Sequence, residues 1–486
     1  MNKRWPPSPP GRIRKNGPAV RHASAWNSTI KGCSLGTALL LCWVMTGCAS
    51  LPREVHTDKP VPAAKPIVFG AHGPLSRAQS EHVIQQLQQG ADDSGLLRRH
   101  LAVEAALTNN PLVTGNKATL LINGPSAFAA IFNAIAHARH TVNIETYILN
   151  DDTIGKRLAK LLLKKRAEGV KVNLMYDGYG SMDTPAAYFD RLRAAGVQVV
   201  EYHPIDPLKG GSLANLNNRD HRKLIIVDGR IAFTGGINIT SVYSASPERR
   251  LQEHDDRWKW RDTDIEIQGP VVADFQKIFI SHWQSQNGPT INPPDYFPPL
   301  HDVGSQVVRA LASRHDEPQP KIYATLLSAI NSAQQSIHIT AAYFVPNDAF
   351  IKALTAAARR GVHVVLILPA HTDKGFVRVA GRSYYSTLLK AGVKIYERQD
   401  AILHAKTIVI DGVWSTVGST NLDWRSFRHN DEVNAVVLGQ AFGHQMEAQF
   451  QKDRAKSKRI TRWAWERRSL WERFEESFTR LGAWWF

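Results

Sequence analysis

The chain has 486 residues, a formal net charge of +17 and three cysteines. That length supports two ordinary domains with full cores, and the charge suits polyanionic partners, either nucleic acid or an anionic lipid surface. All three cysteines (Cys33, Cys42 and Cys48) stand near the N-terminus, which excludes a disulfide framework, a thiolate nucleophile and a cysteine metal site from the rest.

Residues 1–47 carry Lys3, Arg4, Arg12, Arg14, Lys15, Arg21 and Lys31 and no acid. The apolar run from Leu35 to Met45 is too short to span a bilayer comfortably as a helix. It closes on Thr46-Gly47-Cys48-Ala49-Ser50, so the segment reads as an export signal. Those closing residues resemble a bacterial lipobox, which implies lipidation at Cys48. The alternative is an uncleaved membrane anchor. Ala49 after the cysteine favours the outer membrane over the inner, facing the periplasm.

Residues 48–115 are expected to be a proline-rich tether followed by helices, with Val83, Leu87, Leu96, Leu97 and Leu101 among polar residues. His100 has no partner in sequence and is expected at the surface. From 116 onward the chain repeats itself. Val142-Asn143-Ile144-Glu145-Thr146-Tyr147 answers to Ile337-His338-Ile339-Thr340-Ala341-Ala342-Tyr343, Gly169-Val170 to Gly361-Val362, and Gly196-Val197 to Gly392-Val393. Two homologous domains, 116–285 and 304–450, are therefore expected, joined by a proline-rich linker at 286–303. Each alternates helical patterns with β-branched runs, so the fold class is α/β, a sheet flanked by helices. Tyr147 and Tyr343, just after equivalent strands, either line a cleft or pack at strand ends. The tail, 451–486, mixes Lys and Arg with Trp463, Trp465, Trp471, Phe474 and Phe478. It suits a headgroup interface or, equally, a helix packed back with its tryptophans as core.

The chemistry lies in one pattern present twice. His221-Arg222-Lys223 and His404-Ala405-Lys406 are each followed by four residues and an aspartate, Asp228 or Asp411. Six residues later come Gly235-Gly236-Ile237-Asn238 and Gly418-Ser419-Thr420-Asn421. The apolar run after each lysine and the Asp-Gly beyond it predict a buried strand entering a hairpin. Histidine and lysine two residues apart share one face of a strand. One neutral imidazole can attack phosphorus, a second can protonate the departing alkoxide, and lysines stabilise the equatorial oxygens. Backbone amides of the small segments, with Asn238 and Asn421, would approach the same oxygens. The aspartates are expected to have a mainly structural role, bracing the turn or pairing with a basic group. Lys209, Arg219 and Arg222 are further candidates for phosphate contact.

The repeated His-x-Lys-x4-Asp-x6-Gly-x-x-Asn resembles the paired motif of the phospholipase D superfamily. The resemblance implies one active site at a pseudo-twofold interface between two homologous domains, no metal or other cofactor, and a phosphohistidine intermediate. It makes His221 the nucleophile and His404 the general acid, an assignment that pseudo-symmetry leaves reversible. It also implies an acidic residue beyond each motif that orients a histidine: Glu432, in Asn430-Asp431-Glu432, and Asp262 in preference to Asp264. Stretches such as Ile144-Glu145-Thr146-Tyr147-Ile148, Tyr343-Phe344-Val345-Pro346 and Gly418-Ser419-Thr420-Asn421-Leu422-Asp423 resemble bacterial cardiolipin synthases. That likeness implies transfer of a phosphatidyl group between two phosphatidylglycerols at a membrane surface; no nucleic acid is expected, and no obligate protein partner is inferable. Hydrolysis to phosphatidic acid is the alternative, and a nuclease or a silent lipid-binding scaffold are weaker ones.

Overall fold

The β-branched runs of the repeats form one continuous mixed sheet in the computed structural model, which describes residues 66–88, 96–97, 100–101, 104, 110–206, 217–247 and 258–481. The signal segment and Cys48 lie outside the described residues. In the first half the elements are β1 (Leu112–Ile122), α1 (Asn123–Ala136), β2 (Thr141–Thr146), α2 (Thr153–Ala167), β3 (Lys171–Asp177), α3 (Ala186–Ala194), β4 (Gln198–Tyr202), β5 (Lys223–Val227), β6 (Ile231–Gly235), β7 (Thr263–Gln268) and α4 (Val272–Ser285). The second half gives β8 (Gln306–Ser313), α5 (Lys321–Ser332), β9 (Ser336–Ala341), α6 (Asp348–Arg359), β10 (His363–His371), β11 (Lys394–Leu403), β12 (Lys406–Ile410), β13 (Trp414–Gly418), β14 (Asn430–Leu438) and α7 (Gln440–Ala455).

Each half builds the same strand order. It is β4-β3-β2-β5-β6-β7-β1 in the first and β11-β10-β9-β12-β13-β14-β8 in the second. The first three strands of each series are parallel and are linked through helices; the rest are antiparallel. The recurrent Gly-Val pairs follow from those connections. Gly169 (φ 89°) and Gly361 (φ 97°) take the left-handed conformation that ends α2 and α6. Val170 N–H then returns to the Lys165 carbonyl at 3.0 Å, and Val362 N–H to that of Ala357 at 3.1 Å.

The halves join edge to edge. β1 pairs with β8 antiparallel, Asn116 opposite Gln306 and Val113 opposite Val308. Ile265, Phe275, Phe279, Val308, Val417 and Phe442 belong to a core cluster drawn from both halves. Among the described residues, no helix is long and apolar enough to cross a membrane.

One expectation needs revision, and two segments gain detail. His100 is not at the surface: it is fully buried, its Nδ1 3.1 Å from Ser328 Oγ and its Nε2 3.6 Å from Glu104. The proline-rich connection packs on the first half through buried Ile291 and Tyr296, and Asn173 donates to the Tyr296 hydroxyl at 2.9 Å. In the tail, β15 (Ser457–Ile460), not anticipated, extends the sheet beside β11. Trp465 packs back as core, whereas Trp463, Trp471, Phe474 and Phe478 stay exposed.

Asp228 (φ 52°) and Asp411 (φ 50°) turn the β5–β6 and β12–β13 hairpins in the left-handed region. Asp228 accepts from the backbone N–H groups of Arg139, His140 and Thr141 at 2.9, 2.7 and 2.9 Å. Asp411 does the same with Gln334, Gln335 and Ser336 at 3.0, 2.8 and 2.9 Å. Each stands five positions along its strand from the motif lysine, about 16 Å at normal strand rise. They brace the loop into the neighbouring antiparallel strand, β2 or β9. Asp228→Ala and Asp411→Ala should each lower the unfolding free energy by about 2 kcal/mol, the scale of lost charge-assisted hydrogen bonds. Denaturant midpoints unchanged from the parent would contradict that role.

Candidate active site

Neither motif histidine lies inside its strand. His221 sits just before β5, where the pair Arg219–Asp220 runs parallel to Asn430–Asp431 of the other half. Its N–H donates to the Asp431 carbonyl at 2.9 Å. His404 follows β11, whose end pairs with Trp260–Arg261, and its N–H donates to the Arg261 carbonyl at 2.8 Å. Each histidine is thus delivered by the backbone of the opposite half.

The side chains repeat the exchange. His221 Nδ1 lies 3.0 and 3.1 Å from the two Glu432 oxygens. His404 Nδ1 lies 2.7 Å from Asp262 Oδ2. Both carboxylates are buried, and Ser419 Oγ donates to Glu432 as well. Gly236, the counterpart of Ser419, leaves the space Asp262 needs: a Cβ there would stand 2.2 Å from Asp262 Oδ1. Asp264 turns away and accepts from Ile237 N–H at 3.1 Å. With Nδ1 engaged by an acid, Nε2 of each imidazole is the nitrogen left for a substrate.

Lys223 and Lys406 fold back so that each ammonium donates to the carbonyl of its own histidine. Asn238 accepts from Ile148 N–H at 3.2 Å, and its Nδ2 faces the Tyr243 hydroxyl at 3.5 Å. Asn421 Oδ1 is buried with no hydrogen-bond partner. The amides of the glycine-rich segments are largely spent within the sheet, contrary to expectation. Gly236 N–H goes to the Thr263 carbonyl and Ser419 N–H to that of Val433, at 3.2 and 3.0 Å. Tyr147 and Tyr343 line the site, their rings 5.0 Å from His221 and 6.0 Å from His404. Sequence spacing did not reveal Tyr243 and Trp260. The Tyr243 hydroxyl is 3.1 Å from His404 Nδ1, and the Trp260 ring is 5.1 Å from the imidazole.

Burial decides the protonation states. Desolvation pushes His221 down to about 4 although the Glu432 charge works against it. His404 is lowered too, by burial and then by the Lys406 ammonium. Both imidazoles are therefore neutral in the free protein near neutral pH. Desolvation also brings Lys223 to about 7 and Lys406 to about 8. Their charge is held by Glu432 and Asp262 and would be favoured further by an arriving phosphodiester anion.

The residues between the motif partners serve the fold. Arg222 is buried, donating to the backbone carbonyls of Glu432 and Ser313 at 3.3 and 3.1 Å, so it bolts the halves together and is not a phosphate ligand. Arg219 is likewise buried on the His203 carbonyl at 3.1 Å. Lys209 lies outside the described residues. Beside Arg222, His282 sits between Glu145 (2.6 Å) and Asp431 (2.9 Å). Burial and Arg222 oppose its charge, yet the two carboxylates raise it to about 9. A cavity of about 1030 Å³ opens beside Arg222 and His282, and neither motif histidine lines it.

Two buried imidazoles, each clamped at Nδ1 and backed by a lysine, form a single duplicated site. A family model described as cardiolipin synthase, PLD-like domain, matches residues 131–283 and 326–454. A cardiolipin synthase of Geobacillus kaustophilus is 36% identical over 375 residues, covering 76% of this chain and 73% of its own. Cardiolipin synthase A of Pseudomonas putida is 38% identical over 354 residues, 72% of this chain and 71% of its own. In fold, a phosphatidylserine synthase of Haemophilus influenzae matches 79% of this chain and 98% of its own, with a TM-score of 0.61 at 13% identity. The chain belongs to the phospholipase D-like family of cardiolipin synthases.

A nucleophilic imidazole works above its own pKa, so the acid limb of kcat/KM should lie well below the ordinary histidine value of about 6.5. The Glu432 charge raises His221, so Glu432→Gln should move that limb lower still while reducing kcat by about 10²-fold. A limb at or above the ordinary value would mean that His221 is not the buried, neutral group described.

Proposed function

We propose that this chain transfers a phosphatidyl group from one phosphatidylglycerol to another, giving cardiolipin and glycerol. The observation that carries this reading is the crossed clamp: two neutral, buried imidazoles held at Nδ1 by carboxylates of opposite halves, in a chain whose curated relatives are cardiolipin synthases.

His221 Nε2 attacks phosphorus, the P–O bond to glycerol breaks, and the leaving oxygen takes a proton from His404. His404 must carry that proton when substrate is bound. The incoming anion raises its proton affinity, and Asp262 stabilises the imidazolium. Lys223 and Lys406 face the charge that builds on the equatorial oxygens, with Asn238 and Asn421 as amide donors beside them. The terminal hydroxyl of a second phosphatidylglycerol then gives its proton to His404 and attacks. An O–P bond replaces the N–P bond. One phosphodiester replaces another, so no nucleotide is consumed. The substrate is an anionic bilayer lipid, which makes a membrane surface the working partner. The lipobox-like residues support a lipid anchor at Cys48 on the periplasmic face of the bacterial envelope, favouring the outer membrane.

Phosphatidylglycerol vesicles supplied with the full chain and a chelator should yield cardiolipin and free glycerol; phosphatidic acid alone would make water the acceptor. His221→Ala and His404→Ala should each cut turnover by about 10³-fold or more. An acid-labile phosphoramidate, trapped by rapid quenching with phosphorus-labelled lipid, should be absent from His221→Ala; its persistence there would move the nucleophile to His404. Labelled palmitate should enter the protein at Cys48, and a Cys48→Ala variant that still takes up label would remove the anchor.

A further inference from the structure

Among the described residues, five of the eleven large apolar side chains that remain exposed lie within a few residues of groups tied to the two imidazoles. Tyr179 and Met182 lie on the loop whose Ser181 donates to the Tyr147 carbonyl at 3.2 Å, and the Tyr147 ring is the one beside His221. Val242 precedes Tyr243, which touches His404. Trp258, stacked on His371 at 4.0 Å, is two residues from Trp260, which also packs on His404. Phe376 follows Asp373, which accepts from the Tyr343 hydroxyl at 2.7 Å. Exposed Ile67 and Val303 have no such link to the site.

The helix that bears Phe376 also meets the tail. The helix Gly375–Arg382, which bears Phe376, packs against α8 (Leu470–Leu481). On α8, Trp471, Phe474 and Phe478 form a stripe at helical spacing, ring centroids 5.8 and 6.4 Å apart, each more than 60% exposed. Cations flank the apolar residues in sequence: Lys259 beside Trp258, and Lys374 and Arg378 around Phe376. An apolar rim interspersed with lysine and arginine matches the boundary between headgroups and acyl chains of an anionic bilayer.

We propose that this rim is a bilayer-docking face, seated so that the mouth of the site opens into the headgroup layer and a lipid phosphate reaches the imidazoles without leaving the membrane. Tyr179, Met182, Val242, Trp258 and Phe376 form its inner ring, and the α8 stripe forms its outer edge. The docking face rests on the reading of a bilayer lipid as substrate and adds to it the surface that meets the lipid. It also gives α8 a purpose: its stripe is placed to enter the bilayer rather than the core.

The test places an environment-sensitive nitrobenzoxadiazole label on single cysteines in the full chain, reconstituted into phosphatidylglycerol vesicles that contain acyl-chain spin-labelled lipid. Met182→Cys and Phe376→Cys report the rim; Ile67→Cys and Val303→Cys are exposed apolar controls away from it. The unsubstituted protein, labelled in parallel, supplies the background from Cys33, Cys42 and Cys48. Rim labels should be quenched at least twice as strongly as the controls. Equal quenching at all four positions overturns the proposal. A blue-shifted rim label that lipid does not quench also overturns it, because protein then covers the face. Weakly quenched labels alongside normal cardiolipin formation would remove the docking face and leave the activity standing. Strong quenching without product would support the docking face and remove the activity instead.

Discussion

Each half of this protein holds the other half's histidine. Glu432 in β14 fixes His221, and Asp262, just before β7, fixes His404. Parallel backbone pairings around Arg219–Asp220 and Trp260–Arg261 carry the same exchange. Each imidazole takes the carboxylate that engages its Nδ1 from the other repeat. The joined β1 and β8 edges and the buried Arg222 therefore matter for chemistry as much as for cohesion. They hold two carboxylate–imidazole pairs to the tolerance that phosphoryl transfer needs.

Burial is the second constraint. A solvated lysine or histidine would meet a phosphodiester with most of its charge already satisfied by water. Here desolvation brings Lys223 and His221 down together, so the apo site holds little net positive charge in the absence of an anion. An arriving phosphate restores the lysine charge in a medium of low dielectric, where each interaction counts for more.

Much of this was legible in the chain itself. The identical spacing of His, Lys, Asp and Asn announced a duplicated site, and the recurrent Gly-Val pairs announced a repeat. Asp262 could be preferred over Asp264 by the resemblance to the repeated motif. Other features were hidden because sequence reports neighbours along the chain and not across it. Nothing local marks Tyr243 as a partner of His404, 161 residues away. His100 looked solitary because its partners, Ser328 and Trp414, arrive from the second half. Arg222 looked like a phosphate ligand because alternation puts it on the reverse face only once the strand end is fixed. The glycine-rich amides looked available because ladder pairing is invisible before the register is known.

The two repeats are equivalent in path but not in surroundings. A symmetric dimer of one such unit would present two identical ends, and a diester could bind in either direction with equal consequence. Fusion into a single chain removes that degeneracy. The acid on His404 is one methylene shorter than the acid on His221, and a glycine at 236 replaces the serine at 419. His404 is ringed by Tyr243, Trp260 and Tyr343, while Tyr147 is the aromatic neighbour of His221. The cleft therefore has a head and a tail. A phospholipid, whose two sides differ, would meet a polar axis in the protein that tells it which way to lie.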